Sequence, residues 1–198
     1  MKNLGAEHKH VKMYRASVII RESFPILLFL LIFSLITGRT LEEATHILVD
    51  EAPFIFLVIP AFINMAGVLA TVFSSRLTSR LFIGTIDRRF RPLRLLAFDL
   101  LSIAAVAFTG FLLLALTIIL VTKYLLFIAT NDVALLYVFL TAGLTATISM
   151  CTVGIIVAYV SFSKGLNPDN FTAPFTSTLG DMVGTLILIF AVRSFLLV

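Results

Sequence analysis

The stretch FPILLFLLIFSLIT at residues 24–37 carries no charged side chain, and four more long apolar segments follow it. They run over about 52–76, 95–121, 133–162 and from 168 to the end. A helix needs about 20 mostly apolar residues to cross a hydrocarbon core of roughly 30 Å. The pattern therefore predicts an all-α integral membrane protein with five transmembrane helices. Composition closes off the alternative. Hydrophobic residues make up 60% of the chain and charged residues 13%, against about half and a quarter in soluble domains. That excludes a water-soluble globule. The 198 residues leave no room beside five spans for a sizeable soluble catalytic or regulatory domain. The single cysteine, Cys151, excludes a disulfide framework and a CxxC metal or redox site. With no tryptophan, the interfacial anchors must be Tyr, Phe and Arg.

Residues 1–16 form a polar, basic tail, and residues 17–198 are read as the membrane domain. A charged start followed by an apolar run resembles a signal peptide, but no small-residue cleavage site follows it. Gly38-Arg39-Thr40 is a poor candidate, so a retained first helix is expected. His8 and His10 read as solvated tail residues rather than as a metal site. Twelve basic residues fall on one side of the predicted bundle: Lys2, Lys9, Lys12, Arg15, Arg21, Arg76, Arg80, Arg88, Arg89, Arg91, Arg94 and Lys164. Only Arg39, Lys123 and Arg193 fall on the other, with Glu42, Glu43, Asp50, Glu51 and Asp132. The positive-inside rule then predicts a cytoplasmic N-terminus and an outside C-terminus in a multi-pass protein of the cell membrane. The net charge of +4 is mainly this topology signal. Split over short loops, it makes no nucleic-acid surface.

Polar residues within the spans recur at helical spacing. In the second segment Pro60, Asn64, Gly67, Thr71 and Ser75 share a face; in the third, Asp99, Ser102, Ala105 and Thr109. The fourth carries Thr141, Thr145, Ser149 and Thr152, and the fifth Pro174, Thr178, Asp181 and Thr185. The first has only Ser34 beyond Glu22 and is expected at the lipid-facing periphery. Hydroxyls and the Gly180/Gly184 pair read first as helix packing. Asp181 does not. At about 1.5 Å per residue from near Phe171 it lies ~15 Å deep, close to the midplane. A carboxylate there costs roughly 2.5–3.5 kcal/mol on insertion scales, and no Lys or Arg lies at matching depth. An ion pathway is the expectation. Asp99 suits an interfacial salt bridge near Arg91 and Arg94 as well as it suits a pore. Asp169 suits helix initiation behind an Asn167 cap and Pro168, or a cation site at the cytoplasmic mouth. Pro60 and Pro174 each remove a backbone donor and are expected to break helices that line a cavity.

Two stretches carry a family resemblance. One reads Pro60-Ala61-Phe62-Ile63-Asn64-Met65-Ala66-Gly67-Val68-Leu69, followed by Ser74-Ser75-Arg76-Leu77-Thr78-Ser79 and Gly84. The other begins Gly165-Leu166-Asn167-Pro168-Asp169-Asn170 and continues through Pro174 to Thr178-Leu179-Gly180-Asp181. Together they resemble the membrane domain of the MgtE magnesium transporters, especially the archaeal and eukaryotic solute-carrier branch, from about Arg15 onward. The resemblance implies a Mg²⁺ pathway between paired five-helix units, hence a homodimer. It places Asp181 at the central ion site and Asn64 and Gly67 on the lining second helix. Asp169, Asp99, Thr178 and Asn170 complete the candidate ion-ligand set. Val68 and Ala70 stand where family members often carry Asn and an acid, and Asn167 replaces an acid commonly found before the helix-five proline.

Mg²⁺ takes octahedral oxygen ligands and keeps several waters, so two Asp181 carboxylates could grip the hydrated ion, helped by Thr178, Thr185 and the freed carbonyls. A lone Cys151 makes no soft site for Cu⁺ or Zn²⁺. The rival enzyme is an intramembrane aspartyl protease using Asp181 and Asp99; Thr178 stands where its GxGD motif needs glycine. A glutamate or metalloprotease needs its Glu pair inside the bundle, and Glu42-Glu43 falls in the expected outer loop. A non-transporting membrane subunit leaves Asp181 without a purpose.

Overall fold

In a computed structural model the chain is described over residues 16–87 and 92–195. The tail histidines His8 and His10 lie outside the described residues, as do Lys2, Lys9, Lys12, Arg15, Arg88, Arg89 and Arg91. Five helices follow in order: α1 (Ala16–Glu51), α2 (Ile55–Ile83), α3 (Leu93–Tyr124), α4 (Asp132–Ser163) and α5 (Asp169–Phe195). Each contains a stretch long and apolar enough to span a bilayer. Helix is the form a spanning segment can take without leaving backbone polar groups unpaired in lipid.

Two sequence expectations are corrected here. Residues 38–51 are not an outer loop; they extend α1 to 36 residues. Arg39 bonds Glu42 and Glu43 at 3.1 Å each, one turn on, the i,i+3 and i,i+4 spacing that supports an exposed helix. The helices at Pro60 and Pro174 are also unbroken. Both prolines sit in the second turn, where the missing N–H frees a single carbonyl near the helix start.

The ends of the helices are set locally. Gly84 closes α2 in the left-handed conformation, φ 80°, and donates its N–H to the Arg80 carbonyl, a conformation glycine adopts without a Cβ penalty. Asn131 caps α4 by accepting the Ala134 N–H at 3.1 Å. Asn167 accepts the Asp169 N–H at 3.1 Å, as the sequence suggested for the start of α5.

α5 packs against α4, α2 and α1, and α4 also packs against α2 and α3. α1 leans chiefly on α5. Only 6% of its spanning window is buried, against 39% for α2 and α5 and 44% for α4; it is the peripheral helix, as expected. The centre of α2, α3 and α4 is an aromatic knot. The Phe62 ring lies 5.0 Å from that of Phe111 and 5.9 Å from that of Phe139. Phe111 fits because Gly143 on α4 has no side chain; a Cβ there would run into its ring.

Candidate functional site

α2 and α5 run antiparallel and meet where both are glycine. A Cβ on Gly180 would stand 2.9 Å from Gly67 Cα, and one on Gly184 would stand 3.3 Å from the Ile63 side chain. One turn further, the Thr71 and Thr176 hydroxyls share a hydrogen bond of 2.9 Å. These contacts keep a constant register, so Asn64 on α2 stands within a turn of Asp181 on α5. Asn64, Ser177 and Asp181 are all exposed beside this seam, and Thr178 is half-buried. The Asp181 carboxylate makes no hydrogen bond or ion pair among the described residues. Gly67 is buried against the Ser177 backbone, so its place is in the seam and not on the exposed face. Thr185 is buried as well, and its hydroxyl donates to the Asp181 carbonyl at 2.7 Å.

The other stripes separate in the same way. On α4, Thr141, Ser149 and Thr152 donate to the carbonyls of Tyr137, Thr145 and Ile148 in their own helix, at 2.7, 2.7 and 3.0 Å. On α3, Ser102 donates to Phe98 and Thr109 to Ala105 and Val106. These hydroxyls are already satisfied. Asp99 is 3% exposed and meets Arg80 at 2.7 and 3.0 Å, with Arg76 at 3.8 Å. It joins α3 to α2 by a buried ion pair. The salt bridge anticipated for Asp99 is present, with Arg80 and Arg76 of α2 as its cations among the described residues; Arg91 lies outside those residues.

At the start of α5, Asp169 is exposed and Asn170 half-buried. The Asn170 amide donates to Glu22 on α1 at 2.9 Å. Sequence reasoning passed over Glu22 because it opens an otherwise bare helix. It also passed over Ser74 and Thr78, which lie off the α2 stripe; one turn apart, they are a hydroxyl pair on their own face. Both are fully buried, and neither side-chain oxygen has a hydrogen-bond partner. Leaving such a group unpaired costs about 1–3 kcal/mol. Among the described residues there is no group of three or more His, Cys, Asp or Glu poised to hold a bare metal ion.

The sequence model of the MgtE family, described as a divalent cation transporter, matches residues 59–191. The match runs from within α2 to within α5 and leaves α1 outside. A comparison with curated proteins returns no match.

Proposed function

Because the chain belongs to the MgtE family of divalent cation transporters, we propose that it carries Mg²⁺ between two copies of itself, with Asp181 as the central ion site. The observation that carries the reading is the position of Asp181: mid-helix, exposed and without a basic partner among the described residues. An isolated carboxylate at the centre of a bilayer costs roughly 2.5–3.5 kcal/mol. A twin subunit turns that cost to use, since two facing carboxylates bind a divalent cation through its water shell. Asn64 and Thr178 supply neutral oxygens at the same level. Gly67 and Gly180 contribute by letting α2 and α5 approach, which holds Asn64 and Asp181 on one surface. Asp181, Asn64 and Thr178 offer oxygen donors, which favours Mg²⁺ over softer metals.

The basic groups support a cytoplasmic N-terminus. Arg76, Arg80, Arg94 and Lys164 gather at the end where α5 begins, whereas Lys123 and Arg193 lie at the far end. The protein is a transporter and not an enzyme. The aspartyl-protease alternative also lacks its second carboxylate, since Asp99 is bound by Arg80 and Arg76. The test is Mg²⁺ uptake into proteoliposomes at a controlled membrane potential. Asp181→Asn is expected to abolish uptake, and full flux with unchanged affinity would refute the assignment. Subunit counting in the bilayer tests the pairing; a monomer that transports would refute it.

A further inference from the structure

The end of α4 is set by its own backbone. Gly165 adopts the left-handed conformation, φ 72°. Its N–H donates to the Phe162 carbonyl at 3.1 Å, and the Leu166 N–H donates to the Ser161 carbonyl at 3.0 Å. This pair of bonds is the usual close of a helix at glycine, and it fixes Lys164 as the residue at the turn. α5 then returns beside α4, and a groove of about 210 Å³ stays open between them. Ile156, Val160, Leu166, Phe171 and Phe175 form its apolar walls, and Lys164 is the charged residue in its lining. Two roomier grooves differ in this respect. One of about 380 Å³ lies between α3 and α4, and one of about 400 Å³ lies between α4 and the far half of α5. Neither has a charged residue in its lining.

We propose that this groove seats one anionic phospholipid from the leaflet on the side where α5 begins, its phosphate on Lys164 and an acyl chain against Phe171 and Phe175. Lys164 is exposed and makes no ion pair among the described residues, Asp169 included. Its ammonium is a compact charge with three rotatable donors, which suits phosphate oxygens. Ile156 lies eight residues before Lys164, about 12 Å along α4, within one half of a ~30 Å hydrocarbon core. A cation at the membrane edge with an apolar wall running inward matches the two parts of a phospholipid in order. A free phosphate would use only the first part. A second copy fits less well, because two-fold pairing across the groove would bring two Lys164 ammoniums to the same level. The groove also lies on the α4 side of α5, whereas Asn64 and Asp181 lie beside the seam with α2.

The chain has no tryptophan, so a single introduced one reports alone. The experiment places the full chain carrying Phe171→Trp in vesicles of phosphatidylcholine and phosphatidylglycerol, with bromine on the acyl chains of one lipid at a time. Brominated phosphatidylglycerol should quench the fluorescence in preference to brominated phosphatidylcholine. The expected ratio of affinities is roughly fivefold, the scale of one basic side chain near a bilayer surface. Lys164→Ala should bring the two lipids level, and Lys164→Arg should keep the preference. Leu113→Trp, on an exposed part of α3, should show none; an equal preference there would mean general enrichment and overturn the proposal. Equal quenching at Phe171→Trp, or a preference that survives Lys164→Ala, would overturn it too. So would quenching by neither lipid, the result of a second copy covering the groove. A preference abolished by millimolar inorganic phosphate would give the site to the free anion and not to a lipid. Phe175→Trp supplies the same measurement where Phe171→Trp does not fold. Lipid occupancy is read without ion flux, so the outcome is separate from the role of Asp181.

Discussion

Asp99 and Asp181 are both carboxylates within spanning helices, and the fold treats them in opposite ways. Asp99 is almost fully buried, and Arg80 grips it at 2.7 Å with Arg76 behind. Asp181 lies on the outside of the subunit with no cation beside it. A buried ion pair carries a heavy desolvation penalty that only close geometry offsets. Asp99 therefore serves to fix α3 on α2 and has nothing left to offer an ion. Asp181 has no such partner within the subunit among the described residues. The same side chain in two spanning helices is thus tied into the fold or left free of it according to what stands opposite it.

The largest expected effect breaks the structural side of this contrast. Arg80→Ala leaves the buried Asp99 with only the distant, exposed Arg76, which should lower stability by roughly 3–5 kcal/mol. Denaturant titration in bicelles would show it, and adding Asp99→Leu to Arg80→Met should recover most of the loss. Next comes the seam that presents Asp181. Gly180→Val places a branched side chain against Gly67, which should cost about 1–3 kcal/mol by overpacking and reduce Mg²⁺ uptake through displaced helices. Asp181→Asn should do the reverse. Unfolding stays near wild type, while Mg²⁺ affinity falls at least ~10-fold, because a carboxylate–cation attraction in a partly hydrated site exceeds ~1.4 kcal/mol. Isothermal titration and flux on one preparation would separate the two effects. The smallest change belongs to Arg76→Ala. Its partner distance of 3.8 Å and its exposed side chain predict a loss under about 1 kcal/mol.

Much of this was legible beforehand. Five spans follow from five apolar segments, and the seam glycines and Asp181 stand out because small or charged residues are conspicuous among Leu, Ile and Phe. The Asn167 cap and the peripheral first helix were readable for the same local reasons. The less legible features depend on neighbours. Arg76 and Arg80 are close in sequence to other arginines, and only the packing of α2 on α3 selects them as the partners of Asp99. The α4 hydroxyls look like a lining stripe, but those of Thr141, Ser149 and Thr152 are satisfied by their own helix. Proline predicts a lost hydrogen bond, yet Pro25, Pro60 and Pro174 all lie within unbroken helices, so the lost bond alone does not decide whether a helix breaks.

Hydropathy alone determined the helical class and the number of candidate spans, because a bilayer admits only segments that satisfy their own backbone. The tertiary structure decided direction. Helical periodicity places residues on a common face, but it does not say which neighbour that face meets. Packing turned Gly67 inward onto Gly180 and left Asn64 and Asp181 outside. It also buried Ser74 and Thr78 on the inner side of α2.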